Sequence, residues 1–455
     1  MTHVSGSPVL AASANHSPEG GPSVHFGSNL KFAVIHPGAR LHYAVVALLH
    51  RAGMLSRFYT DAVGNVGILH VANVIPPRLR PKIVRRLLGR RLPNDVPKEV
   101  VASSPARAIG QAVLSRIPGT GRLARWLSPE AWMQQAILDE EFGGANALYC
   151  MSNGDLDVVR EAKRRGMLVV YEQICNPEIG RTMREELALF PGLEEADPEE
   201  LVETGIRRDL EVWSLSDLVL ASSDYVFDSM IKLGCPPERI AVVPYGLSND
   251  WFETPVAPKP GRVLFVGSVR LLKGSHYLAE AARILKERGV DAEFRVVGPC
   301  RPYVFRSPLF EGPTYIGQVP RVQVREEFAQ GDVFAFPTLS EGFGLAHLEA
   351  MACGMPVITT PRCGSAVRDG VDGFVVPIRD ALAVADRVEQ IVRDRALRDR
   401  MGQEARKRAR EYSWAHYSRA LFEAIAATGQ RGGGQPGAGL IASAATAAAR
   451  GMGAR

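Results

Sequence analysis

The sequence predicts an α/β protein of two Rossmann-like domains facing across a cleft, and three features of it point there. Apolar strand patterns alternate with helical patterns in two blocks. The blocks are split near Pro255 by TPVAPKPG, Thr254 to Gly261, whose proline and glycine content is that of a linker. In both blocks a strand pattern runs through a glycine turn into a helical pattern, which is where open α/β sheets bind ligands.

The first block opens with KFAVIH, Lys31 to His36, a buried-strand pattern. The following PGARLHYAVVALLHRAG reads as a helix, with Leu41, Val45 and Leu48 at i, i+4 and i+7. Between them, Pro37 and Gly38 form a turn that suits a ligand, although a single such glycine is also an ordinary turn residue. Residues 76–93, PPRLRPKIVRRLLGRRLP, are the most basic stretch, with Ile83, Val84, Leu87 and Leu88 set among the arginines. They fit an amphipathic helix lying on an anionic membrane or binding a phosphorylated acceptor, but a solvated basic helix is the favoured reading. Ala147 to Gln173 reads as strand, loop, helix and strand. Asp155 and Asp157 have a spacing able to hold a divalent cation, but both open a helical pattern where acids favour the N-terminal dipole, so they are expected to cap it and no metal site is expected. The block closes with the strand, helix, strand and turn of SLSDLVLASSDYVFDSMIKLGCPPERIAVVPYGLSNDWF.

The second block begins with the strand RVLFVGS and the loop VRLLKG, then a helix with Leu278, Ala281, Ile284 and Leu285 in register. Arg270 and Lys273 therefore sit beside a helix N-terminus, where basic side chains and free N–H groups make a diphosphate site, or are simply solvated. AEFRVVGPC adds a strand and a turn at Gly298. The strand DVFAFP then feeds EGFGLAHLEAMACGMPV, Glu341 to Val357, the centre of the organisation. Leu345, Leu348 and Ala352 recur at helical spacing, so one face is expected to be buried. Gly342 to Leu345 offer helix-end amides to an oxyanion or to sugar hydroxyls. Glu341 and Glu349 are about 12 Å apart if the interval is wholly helical. They can hold the hydroxyls of two rings of one extended ligand, or be an acid favoured beside a helix N-terminus and an exposed acid.

The chain of 455 residues is 46% hydrophobic and 23% charged, enough for two cores. A net charge of +5 is small for this length, and the basic stretch lacks interleaved aromatics, so a nucleic-acid partner is not expected. Six cysteines without a CxxC pair read as reduced thiols of a cytoplasmic protein without structural zinc. Residues 1–29 read as a disordered tail, 30–253 as the first domain, 254–261 as the linker, 262–428 as the second domain and 429–455 as a low-complexity tail. Within that tail, Gly432 to Ala449 is long enough to span a bilayer but not apolar enough.

EGFG, EAMACG and PVI in order, with VGSVRLLKG upstream, resemble the nucleotide-sugar signatures of glycosyltransferase family 4 (group 1), retaining and metal-independent enzymes of GT-B fold. The resemblance runs from about Leu30 to Ala427, dense in the second domain and loose in the first. It implies a hexosyltransferase that moves a sugar from a nucleoside diphosphate to a glycan or lipid-linked acceptor hydroxyl in polysaccharide or glycolipid assembly, without a cofactor. It implies catalytic roles for Glu341, Arg270 and Lys273. It implies donor contacts at Gly38, Gly267, Gly298, Val319, Gly342, Phe343, Gly344, Leu345 and Glu349, with Glu341 on the sugar and Glu349 on the ribose. Where it puts a first-domain histidine, this chain has EQICNPEIG, so Glu172 and Asn176 stand as acceptor contacts or as ordinary loop residues. That departure keeps a non-catalytic sugar-nucleotide-binding subunit as the alternative. A sugar-nucleotide epimerase would need first-domain acids and a histidine that are not evident.

Overall fold

The structure is a computed structural model that describes residues 29–431 apart from 68, 70–75, 77, 78, 115, 116, 118, 119, 121, 122, 124–126 and 152–155. The two expected tails lie outside the described residues, except for Asn29 and the end of a helix that stops at Arg431.

Among the described residues the first sheet has seven strands: β1 Phe32–Ile35, β2 Leu55–Thr60, β3 Val101–Ser103, β4 Ala147–Met151, β5 Leu168–Gln173, β6 Leu218–Ala221 and β7 Ile240–Val242. Their order is β3-β2-β1-β4-β5-β6-β7, with every pair parallel. The second has six: β8 Arg262–Val266, β9 Glu293–Val297, β10 Thr314–Gly317, β11 Val333–Phe336, β12 Val357–Thr359 and β13 Gly373–Val375. It runs β10-β9-β8-β11-β12-β13, again all parallel. The order in which the chain adds strands across the sheet reverses between β1 and β4 and between β8 and β11, so each sheet has a switch point where its carboxyl ends open a crevice. All-parallel sheets need cover on both faces, which is why FAVI in β1 and VFAF in β11 are buried throughout.

The helix expected straight after Gly38 begins later. Leu41, His42 and Tyr43 take φ of 48°, 52° and 64°, and regular helix starts only at Ala44. A left-handed turn costs an L-residue about 1–2 kcal/mol per position, and the compensation here is the side chain of Tyr43. Its ring is wholly buried against Phe58 at 5.7 Å, and its hydroxyl donates to the Ala62 carbonyl at 3.3 Å. Leu41 is consequently only partly buried against the core and also lines the cleft.

The last helix, Trp414–Arg431, does not complete the second domain as the sequence suggests; it crosses back to pack against β6. Tyr417 is buried there, 6.3 Å from the ring of Tyr245. The basic stretch contains the short helix Lys82–Leu88, whose Leu87 and Leu88 are buried with Ala62 and Leu69. Its apolar face is thus spent on packing, while Arg85 and Arg86 remain exposed.

Two carboxylates from one first-domain segment tie the domains together. Glu186, on the helix Ile179–Leu189, is fully buried; its Oε1 accepts from the Tyr277 hydroxyl and lies 2.8 Å from His276 Nε2, and its Oε2 accepts from Arg379 Nε at 2.7 Å. Burial alone would raise this carboxyl, but those partners outweigh it and hold it below the usual range. Glu194 is held in the same way by Tyr303, the Leu271 amide and Arg270. Backbone also meets backbone: a Cβ on Gly342 would stand 1.8 Å from the carbonyl oxygen of Ile174 across the interface, and Ser223 Oγ donates to the Gly342 carbonyl at 2.5 Å.

Candidate active site

A cleft of about 420 Å³ lies between the carboxyl ends of the two sheets. The first domain lines it with Ala39 to Leu41 after β1, Met151 at the end of β4, Glu172 on β5, Ile174, and Tyr245. The second contributes Val266 and Gly267 after β8, Lys273, Phe336 on β11, Glu341, Phe343 and Gly344 to Ala346.

Gly344 is the N-cap of the helix Leu345–Ala352, with φ of +71°, a left-handed conformation that glycine adopts without strain. A Cβ there would also meet His347 Nδ1 at 2.3 Å. Leu348 and Ala352 are buried as their spacing predicts, whereas Leu345 faces the cleft. His347 packs beneath the loop with Nδ1 3.2 Å from Cys363 Sγ, and burial, aided by the charge of Lys273, lowers its pKa to about 3. It is a neutral support for the loop.

Lys273 closes a 3₁₀ turn, Leu271–Lys273, ahead of the helix Ser275–Glu287, and its ammonium is salt-bridged to Glu341 in the cleft. Arg270 does not join it. Its Nε and Nη2 donate to Glu194 Oε2 at 3.2 and 3.1 Å, and it is absent from the cleft wall. The reason is that the half-buried Glu194, whose other oxygen takes the Leu271 amide at 3.0 Å and the Tyr303 hydroxyl at 2.5 Å, needs a cation beside it.

Glu172 is buried in the first-domain wall, where the hydroxyls of Tyr149 and Tyr245 (the latter at 2.8 Å) donate to its two oxygens. Burial raises its pKa, opposed by these two phenols and by the charge of Arg40. Tyr245 in turn packs edge-on to Phe343 at 5.6 Å, so the acid is coupled to the glycine loop of the other domain. Asn176 lies elsewhere: its Oδ1 accepts from the Glu178 amide at 2.7 Å in a turn, and it lines a separate cavity with Arg181, Lys232 and Arg362.

Five expected donor contacts stand outside the cleft wall. Gly38 donates its amide to Asp61 Oδ1 at 2.8 Å and so fixes the turn that presents residues 39–41. Gly298, with φ of +145°, backs Gly267, whose carbonyl oxygen would be 1.9 Å from a Cβ at 298. Val319 packs on the core, Gly342 serves the domain contact, and Glu349 sits further along its helix near Arg321, Arg325 and Asp250. Of the cation-spaced aspartates, Asp157 is on the first turn of its helix with Arg160 at 3.1 Å, and Asp155 is outside the described residues. Sequence reasoning missed Arg40, Tyr245 and Phe336, the last of which was visible only as the apolar end of a strand.

Residues 249–408 match the family model of glycosyl transferases group 1. Over 200 residues the chain is 33% identical to the putative colanic acid biosynthesis glycosyltransferase WcaL of Salmonella typhimurium, taking in 40% of this chain and 49% of that one. Over 247 residues it is 28% identical to the D-inositol 3-phosphate glycosyltransferase of Xylanimonas cellulosilytica, covering 49% and 59% respectively. The chain thus spans about half the length of the curated relatives it matches. Among solved structures, Anabaena HepE in complex with UDP and glucose superposes with a TM-score of 0.59 at 16% identity, over 88% of this chain and 100% of that one. This likeness gives the two-domain arrangement its name, the GT-B fold.

Proposed function

We propose, from the match of residues 249–408 to the family model of glycosyl transferases group 1, that the protein moves a sugar from a nucleoside diphosphate to an acceptor hydroxyl. The observation that carries the reading is the pairing of Lys273 with Glu341 in an interdomain cleft, beside the glycine-capped helix end at Gly344. A glycan or lipid-linked acceptor in polysaccharide assembly is the proposed partner, in keeping with a relative named for colanic acid biosynthesis. The experiment is incubation of the protein with a panel of labelled nucleotide sugars and cell-envelope extract. Transfer of label into the extract supports the reading. Donor binding with no transfer from any nucleotide sugar makes the protein a binding subunit instead.

The proposed reaction retains the anomeric configuration. The bond from C1 to the phosphate oxygen breaks while the acceptor oxygen bonds C1 on the same face, and the acceptor proton passes to the departing phosphate. Charge developing on that phosphate meets Lys273 and the amides at Gly344 and Leu345, the electrostatic work that a divalent cation does elsewhere, so no metal is required. Glu341, oriented by Lys273, receives the sugar hydroxyls, and Glu172 faces the acceptor side. Arg270 reaches the diphosphate only if Glu194 releases it.

Glu349 is proposed to receive the ribose hydroxyls. Burial lifts its carboxyl to about 7, against the charges of Arg321 and Arg325 and helped by that of Asp250. The ionised form is the hydrogen-bond acceptor, so nucleoside diphosphate affinity is expected to rise up to about tenfold as pH climbs from roughly 6 to 8. Calorimetric titration across that interval checks it. Glu349→Gln flattens the rise; a profile that is the same in the variant removes Glu349 from the ribose site.

Peripheral contact of residues 76–93 with an anionic membrane is a further proposal. Among the described residues no helix is long and apolar enough to cross a membrane. With Leu87 and Leu88 buried, contact would rest on charge, chiefly the exposed Arg85, Arg86 and Arg91. At about 1 kcal/mol per basic residue near the surface, replacing all three by Ala weakens binding to anionic vesicles about 100-fold. Flotation that is absent with the wild type, or unchanged in the variant, disproves it.

A further inference from the structure

We infer that Arg40 is a donor-binding residue, holding a phosphate of the nucleoside diphosphate from the first-domain wall. The inference rests on the glycosyltransferase reading and adds to it a cation from the opposite side of the cleft. Among the described residues two cationic side chains line that cleft, Arg40 and Lys273. Lys273 is already compensated by Glu341, and Arg270 is drawn away to Glu194. Among the described residues, no carboxylate forms a salt bridge with Arg40, and the side chain is exposed to the cleft.

Its location is built, not incidental. The turn before it is fixed by the Gly38 amide on Asp61, which is itself paired with Arg90 at 2.5 Å. The turn after it is the left-handed run Leu41, His42 and Tyr43, pinned by the buried tyrosine. Backbone strain of this kind persists only where surrounding packing imposes it, and it is concentrated at ligand sites. A guanidinium offers two parallel donors matched to phosphate oxygens. Placed on the wall facing Lys273, it lets the diphosphate bridge the two domains, so donor binding and domain closure favour one another.

Calorimetric titration of UDP, GDP and ADP, and of their nucleosides, into wild type, Arg40→Ala and Arg40→Lys in the presence of EDTA tests this. For the diphosphate that binds, Arg40→Ala is expected to weaken affinity about 10- to 100-fold, Arg40→Lys to recover part of the loss, and the matching nucleoside to bind all three proteins alike. Unchanged diphosphate affinity in Arg40→Ala overturns the assignment. An equal loss for the nucleoside also overturns it, because the effect then comes from a disturbed loop. A raised acceptor KM with unaltered diphosphate affinity overturns it too, by giving Arg40 to an anionic acceptor. A wild-type protein that binds no nucleoside diphosphate defeats the underlying glycosyltransferase reading itself, and Arg40 falls with it.

Discussion

Lys273→Ala is expected to lower kcat about 10²- to 10³-fold, the usual cost of removing one preorganised group that meets charge developing in a transition state. Lys273 sits where both proposed roles of the second-domain loops converge. Its ammonium holds Glu341 in the cleft and lies 5.9 Å from the centre of the Phe336 ring, in a site enclosed by both domains. Its loss therefore removes the cation proposed for the departing diphosphate and frees the carboxylate proposed to orient the sugar. Steady-state kinetics with saturating donor check the figure, with affinity for UDP, GDP or ADP measured alongside. If both turnover and diphosphate affinity survive, Lys273 has no part in the phosphate site.

The second large effect is expected at Gly342, which is not itself part of the cleft wall. Its missing side chain lets the signature loop touch the first domain at the Ile174 carbonyl, which a Cβ would approach to 1.8 Å. Neither partner is a flexible side-chain end, so Gly342→Ala must push the walls of the cleft apart. Displacements of about 1 Å between groups that must act together cost on the order of 10²-fold in rate, and kcat/KM is expected to fall by that much. Small-angle scattering should show a larger radius of gyration for the variant. A variant with wild-type kinetics and dimensions would mean that the closed contact at Gly342 is not needed for turnover.

The fold was legible because parallel strands covered on both faces are written as unbroken apolar runs; KFAVIH, MLVVY, RVLFVGS and DVFAFP each mark one strand of the two sheets. The second-domain wall was legible because Lys273, Glu341 and Gly344 lie on short loops directly between a strand and a helix. What the sequence concealed depends on contacts distant along the chain. Arg270 looks like a partner of Lys273 until Glu194, 76 residues earlier, takes it. Leu41 continues a helical pattern on paper, but Tyr43, buried beneath it, imposes a left-handed run and turns Leu41, with Arg40 before it, to the cleft. The returning helix Trp414–Arg431 has an amphipathic pattern that does not say which of two sheets it will cover. Asn176 reads as a polar loop residue free for a ligand, and is used to close its own turn.

The grip on an activated sugar through its diphosphate, by protein cations and a helix end and not by a divalent ion, is tested most directly by assaying nucleoside diphosphate release from each nucleotide sugar, with acceptor extract present, before and after exhaustive treatment with EDTA. Release from at least one donor at the same rate in both conditions is the expected result. Release that disappears on chelation and returns with magnesium or manganese contradicts it, because Lys273 and the amides at Gly344 would then be insufficient for the charge they are proposed to carry.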